Sequence, residues 1–499
     1  MKRISPFDIP LLANEISQYL SRKDLVRCVR VSKEWAAWFT PVLWRDLDCW
    51  KALPYVDTLT RQRGHIRAVR NIDMKRIGPI LEPLSCTSLQ RLDFMKYEYY
   101  LDTHRDQLQV LQALERISTL QHLQITLSLD RDDVCQQWIR VLEALPHLES
   151  LSLRSEKLVD GKVIQEILRL CIGYERLAFF IADEETYAKG GSGRAYQDTR
   201  AAIERMPEMQ LRELSFNSRC GYYETNIFQP LLDRCPRMEK LTMWTYHMPT
   251  SQQLFKALKQ TRFPQLRHLA VRTCVNQSYL AEILSYDESG LERFEADTKL
   301  DEPVAHLLIQ YHHRSLRTMH FGHPGISLSA LAELMAELPN LQSLEAKILP
   351  LYGSYVDDLP LDKHWACAEL RSLRLRLDTQ IFHGEVGSPE WNGSIDKRGL
   401  DYVFSETAKM NSLRDLRIGC DQRDLYLKRH GYLTQLGGLR QLRFFDLAST
   451  PPEEFGKSEA LWMADNWPRL VQVCRHGASE IFSRTLLKKR PTVEIVYWE

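Results

Sequence analysis

The chain has 499 residues, more than one compact core holds, which suits two or three domains or a small domain joined to a long array. Hydrophobic residues make up 44% and charged residues 26%, a balance that excludes global disorder. Lys and Arg number 66 against 65 Asp and Glu, so the net charge of +1 excludes a chain-wide nucleic-acid or membrane-binding field and leaves room only for local patches. The 11 cysteines are scattered without a Cys-x-x-Cys pair, which points to reduced thiols in an intracellular protein, cytoplasmic or nuclear, rather than to a disulfide framework or a cysteine zinc site. No apolar signal core follows Met1–Pro6, and no stretch approaches the roughly 18 apolar residues of a membrane span.

The first fifty or so positions read as a small helical head. Leu12, Ile16 and Leu20 fall at i, i+4 and i+8 and predict a short helix after Pro10, whose missing N–H suits a helix start. Ser21 and Asp24 have capping-box spacing and open a second helix that carries Leu25, Cys28 and Val29 inward. Ser32 caps a third, with Trp35, Trp38 and Phe39 on one face; Pro41 is expected to stop it ahead of Leu43 and Trp44. Three such helices bury little surface by themselves. Their concentration of aromatic residues leaves two readings open: a core shared with the next domain, or apolar surface that awaits a partner.

Ile9-Pro10, Ile16, Leu20-Ser21, Asp24-Leu25, Cys28, Val31-Ser32-Lys33-Glu34-Trp35 and Leu43-Trp44, in that order and spacing, resemble an F-box from about Phe7 to Leu47. Leu12 stands where the family usually has Glu, and Ser32 where it usually has Cys. The resemblance implies docking on a Skp-type adaptor, which joins cullin and RING subunits in an SCF ubiquitin ligase. It also implies that Ile9, Pro10, Ile16, Leu20, Leu25, Val31, Trp35, Leu43 and Trp44 are domain core or adaptor contacts.

Repeats dominate the remainder. The unit apolar-x-x-apolar, usually followed by x-apolar, begins at Leu89, Leu120, Leu148, Tyr174, Leu211, Met238, Leu266, Leu291, Leu316, Leu341, Leu370, Leu413 and Leu439, with a mean spacing of about 29 residues. Ile66-x-x-Val69 reads as an earlier, degenerate copy. Between anchors the period lengthens to that of a helix. Val134, Trp138, Val141, Leu142 and Leu145 share one face, as do Ile164, Ile167, Leu168 and Cys171, and Leu331, Leu334, Met335 and Leu338. Pro146, Pro236, Pro264, Pro339 and Pro468 mark return turns, and Thr492–Tyr497 alternates like a capping strand beside Lys488, Lys489 and Arg490. A strand and helix of this size cannot bury their own apolar faces, but a stack of them can. The pattern resembles a leucine-rich-repeat array, although the Asn or Cys the family sets eight residues after the anchor is mostly absent, Cys274 excepted.

The expected fold is therefore α/β, a leucine-rich-repeat horseshoe solenoid behind a small all-α F-box. The divisions fall at 1–48 for the F-box, 49–88 for a connecting helix and degenerate first repeat, 89–473 for the repeats and 474–499 for a cap.

No catalytic motif survives inspection. Gly190-Gly191-Ser192-Gly193-Arg194 lacks the order of a phosphate loop and reads as a mobile loop. His320 and His323, with His312 and His313 nearby, have no carboxylate or cysteine placed to complete a metal site, so neither a metal nor a cofactor is expected. The informative residues are those between the anchors, which point away from the core. Arg374, Arg376, Arg417 and Arg443 are expected to form one basic column across neighbouring strands, opposed in part by Asp415, with Arg293, Glu295 and Asp297 as a mixed face earlier. Phe180 and Trp244 are candidate aromatic anchors for a peptide. Two long spacings, after Tyr174 and after Leu370, imply inserted loops, the second spanning Asp378–Gly399.

The F-box resemblance, taken with these features, implies a non-enzymatic substrate-recognition subunit of an SCF-type ligase, its head on the adaptor and its repeats on a protein substrate, acidic or phosphorylated, with no nucleic acid or membrane as partner. The alternative is an interaction scaffold that binds the adaptor without promoting ubiquitination.

Overall fold

A computed structural model of the chain describes residues 10–49, 56–72, 88–94, 104–155, 161–181, 193–218, 230–245, 263–273, 280–281, 284, 290–297, 300, 302–348, 363–377, 397–420, 427, 431–447, 455–476 and 479–498. Ile9, Cys274, Gly190–Ser192 and most of the Asp378–Gly399 insertion lie outside these residues. The chain divides into two compact units, Met1–Met238 and Glu239–Glu499.

The first unit opens with three helices, α1 (Pro10–Ser17), α2 (Arg22–Val29) and α3 (Lys33–Arg45). Ser21 accepts the Asp24 N–H at 3.3 Å and donates to the Asp24 carboxylate at 2.6 Å; Ser32 accepts the Trp35 N–H at 3.2 Å. Each hydroxyl thereby satisfies a donor that the first helical turn leaves without a partner. Pro41 does not stop α3, contrary to the sequence expectation: the helix runs through it to Arg45. The carbonyl that Pro41 leaves unbonded belongs to Ala37, on the exposed side of the helix, where water can meet it. Leu25 and Phe39 are the buried centre of the head, with Leu20, Cys28, Val29, Trp35, Trp38, Val42 and Leu43 packed around them.

The helix α3 leads directly into β1 (Asp46–Asp48), which pairs in parallel with β2 (Ala68–Ile72), the degenerate copy inferred at Ile66–Val69. Asn71 takes φ 55° at the register shift between β2 and β3 (Arg91–Phe94); Asn is among the residues that tolerate this left-handed conformation. The sheet continues in parallel through β4 (His122–Leu127), β5 (Ser150–Ser155), β6 (Arg176–Ile181) and β7 (Glu213–Ser218). Parallel neighbours require crossovers, supplied here by helices such as Asp132–Ala144 and Gly161–Leu170. Their buried faces carry Val134, Trp138, Val141 and Leu142, and Ile164, Ile167 and Leu168, as the helical period predicts. Gly193 and Arg194 open the helix Gly193–Glu204 instead of lying in a loop.

The second unit repeats the design. Its parallel strands are β8 (Lys240–Thr245), β9 (His268–Thr273), β10 (Arg293–Ala296), β11 (Thr318–Ile326), β12 (Ser343–Ile348), β13 (Ser372–Leu377), β14 (Asp415–Cys420), β15 (Phe444–Leu447), β16 (Gln472–His476) and β17 (Glu494–Trp498). Strand residues alternate between half-exposed and buried, so the apolar anchors pack on the helices and the residues between them meet solvent. One backbone device recurs: the carbonyl just before a strand accepts two N–H groups from the next repeat, as Arg414 O does from Arg443 and Phe444 at 2.8 and 2.9 Å. Both units are thus leucine-rich-repeat stacks, with the small helical domain at the start of the first.

Register corrects one anchor. Leu416 pairs with Phe445 rather than with Leu442, so the repeat assigned to Leu439 is built on Leu442-x-x-Phe445-x-Leu447. The apolar residues of this segment are spaced by three, so the pattern fits equally well three residues earlier; only the pairing with β14 distinguishes the two. The described cysteines are free thiols, most of them buried. Burial pushes Cys49 up to about 11 and Cys235 and Cys367 up to about 12, which keeps them protonated and unreactive near neutral pH.

Candidate interaction surfaces

The head leaves apolar side chains uncovered. Leu12 is 41% exposed, Val31 62% and Tyr19 86%, whereas Leu25 and Phe39 are buried. Ile16 is half-buried on the same helical stripe as Leu12, whereas Leu20, expected on that stripe, lies in the turn after α1 and packs on the Leu25 and Phe39 core. The inferred positions therefore divide: Leu25 belongs to the core; Trp35, whose ring centroid lies 5.4 Å from that of Phe39, packs on that core with Leu43; and Val31 faces solvent. Trp44 is half-buried, and Pro10 is the first residue of α1.

In the second unit the solvent side of the sheet carries a network of ionised groups. Glu295, only 4% exposed, receives Arg272 Nη2 at 2.9 Å and Arg293 Nη2 at 2.6 Å, with His268 Nε2 at 3.2 Å. The hydrogen bond from His268, and those from the two guanidiniums, outweigh burial and hold this carboxyl well below the usual range. Asp297 stands on the same face; burial raises its pKa against the fields of Arg272 and His320. A Cβ at Gly322, on the next strand, would come 2.0 Å from Asp297 Oδ1, so the glycine leaves the space that the carboxyl fills. His320 Nδ1 lies 3.5 Å from Glu345 Oε2; that contact raises the imidazole pKa and lowers that of the carboxyl. The sequence places no carboxylate near His320, because Glu345 is brought there by register between β11 and β12. No group of His, Cys, Asp and Glu able to hold a metal occurs among the described residues. His312 is a core histidine whose Nδ1 accepts the Leu291 N–H at 3.2 Å.

The expected basic column is only partly formed. Arg374 and Arg417 are paired neighbours on β13 and β14, but Arg376 faces Gly419, and Asp446 rather than Arg443 follows Arg417. The three-residue anchor shift moves Arg443 out of the column. Nor are the two remaining arginines open. Arg374 Nη2 bonds Asp415 at 3.0 Å and its Nη1 lies 3.6 Å from Glu345. Arg417 Nε lies 3.4 Å from Asp415, and its guanidinium sits 4.1 Å from the centre of the Phe444 ring. Trp244 is half-buried under Arg272, 5.0 Å from its ring centre, a cation–π contact that covers one face. Phe180 lies on β6 opposite Arg154; its side chain is outside the described residues.

A second row lies one position before each strand; of its arginines only Arg443 is a sequence-predicted site residue, and the sequence places it in the other column. Arg317, Arg371, Arg414 and Arg443 each follow the first leucine of a repeat, all four are exposed, and none makes an ion pair among the described residues. The recurring Leu-Arg pair was the available signal.

Comparison with known proteins adds the following. The F-box domain family matches residues 7–46. No curated protein matches the chain in sequence. Among solved structures, the chain is similar to the yeast Rad7 and Elc1 complex at 12% identity and a TM-score of 0.39, over 98% of this chain and 91% of that one. A leucine-rich-repeat protein of Leptospira interrogans gives 13% identity and a TM-score of 0.33, over 91% and 96%; a protein of Bacteroides fragilis gives 16% and 0.31, over 58% and 74%. The chain therefore carries an F-box domain at residues 7–46.

Proposed function

We propose that the protein is the substrate-recognition subunit of an SCF-type ubiquitin ligase. The head docks on a Skp-type adaptor, and through it on cullin and RING subunits, while the repeats hold a protein substrate. The observation that carries this reading is the exposure of Leu12, Tyr19 and Val31 on a head whose core is already closed by Leu25 and Phe39. Apolar side chains left in water on so small a domain are suited to burial against a partner. The chain supplies no reactive group to the chemistry. It raises the local concentration of substrate lysines near a charged ubiquitin-conjugating enzyme, which is a proximity effect.

The test is co-purification of the full chain with a Skp-type adaptor. Leu12→Asp with Val31→Asp removes the adaptor from the complex and leaves the thermal midpoint unchanged, since neither side chain is in the core. Full retention of the adaptor by a folded double variant overturns the docking claim.

A further inference from the structure

Two rows of side chains that run across the strands of the second unit differ in how their charges are met. The row through Glu295, His320, Glu345, Arg374 and Arg417 neutralises itself, as shown above. The row one position before each strand runs Arg267, Glu292, Arg317, Gln342, Arg371, Arg414, Arg443, its order given by the backbone bonds that link each repeat to the next. At its start Arg267 is paired with Glu292 at 3.1 Å. From Arg317 onward the row has no acid. Gln342 donates to Glu369 at 3.4 Å, and Arg371, Arg414 and Arg443 immediately precede three consecutive strands, exposed and without an ion pair among the described residues.

Neighbouring strands lie about 4.8 Å apart, so three guanidiniums are held close on a rigid backbone with no counter-charge in the row. We propose that this arginine row, Arg317 to Arg443, is the docking line for an acidic segment of a partner protein. Four strand intervals, about 19 Å, equal the reach of roughly six extended residues at about 3.3 Å each. Carboxylate and phosphate both match the planar fork of arginine, and this row, unlike Arg374 and Arg417, surrenders no ion pair with a described residue to receive them. Sequence-tolerant binding of single-stranded nucleic acid uses aromatic platforms on which bases stack, and the row contains none: its other members are Gln342, Glu292 and Val471. This inference concerns the repeats alone and stands apart from adaptor docking by the head.

The experiment is fluorescence anisotropy on the full chain with three labelled probes: an octaglutamate peptide, a peptide carrying two phosphoserines, and an oligodeoxythymidine of matched charge. The parent binds at least one of the acidic peptides, and binding weakens as salt is raised. Arg371→Gln, Arg414→Gln and Arg443→Gln together weaken it by about tenfold or more, while the three corresponding Lys substitutions cost about threefold or less. Both triple variants keep the parent's thermal midpoint and its adaptor co-purification, which separates this result from the docking test. Binding by the folded Gln variant equal to that of the parent, absence of binding to both peptides, or tighter binding of the oligodeoxythymidine overturns the proposal.

Discussion

Glu295 concentrates several of the forces that shape the sheet face. It is nearly inaccessible, yet it stays ionised because His268, Arg272 and Arg293 converge on it. Glu295→Gln leaves two guanidiniums without their anion. Removing one partner of a buried pair costs several kcal/mol, discounted here to about 2 kcal/mol because Arg293 is half exposed, and a lower denaturant midpoint reads it. The depressed pKa sets the acid limb: the group's contribution is complete above the ordinary glutamate range and is lost as pH falls below about 4.3 toward its folded value. His320 has the opposite sign. Its pKa is raised in the folded protein, so its contribution is full below about 6.5 and fades as pH rises through the folded value. The stability gap between the parent and His320→Gln is therefore wider at mildly acidic pH than above neutrality. Thermal unfolding across that range measures it, and a gap that widens with pH contradicts the assignment.

At the scale of the element, two positions show where local chemistry carries the fold. Ser32 accepts the Trp35 N–H in the first turn of α3, so Ser32→Ala costs about 1 kcal/mol, seen as faster hydrogen exchange at the start of that helix. Gly325 holds β11 against β12 with φ 110°, and its carbonyl accepts the Leu300 N–H at 2.8 Å. A Cβ there would lie 2.1 Å from the Lys347 carbonyl oxygen, a backbone atom that cannot swing away. Gly325→Ala thus loses about 2 kcal/mol or more, whereas Gly173→Ala, which meets nothing within 4 Å, stays within about 0.5 kcal/mol; denaturant midpoints compare them. Helix identity was legible where the apolar stripe was unambiguous, as for Trp138 and Val141. It failed at Pro41, because the missing N–H cost little where water could meet the freed carbonyl.

Across the molecule, a repeat stack converts short sequence words into rows of side chains that no local window contains. Arg371, Arg414 and Arg443 are more than 25 residues apart in sequence yet are linked in turn by backbone hydrogen bonds. The same logic places Glu345 beside both His320 and Arg374. On the proposed reading the head and the repeats divide the labour: exposed apolar groups at Leu12, Tyr19 and Val31 for the adaptor, and charge on the sheet for an acidic segment. Salt therefore separates them. Higher ionic strength weakens capture by the arginine row and leaves apolar docking of the head nearly unchanged, which parallel co-purifications at low and high salt measure.

The sequence by itself determined the helical head, its two serine caps, the repeat word and the inward faces of the helices. Each of these depends on chemistry within a few residues: a hydroxyl beside free N–H groups, or apolar spacing that matches a strand or a helix. Only the tertiary structure decided which repeats are in register. That choice turned the Leu439 anchor into Leu442, removed Arg443 from the column of Arg374 and Arg417, and showed those two already held by Asp415 and Glu345. The reason is physical. Periodicity specifies which side of a strand a residue takes, but the distance between charges on different strands is set by hydrogen-bond register, and a shift of three residues leaves the apolar pattern intact while exchanging the charge partners.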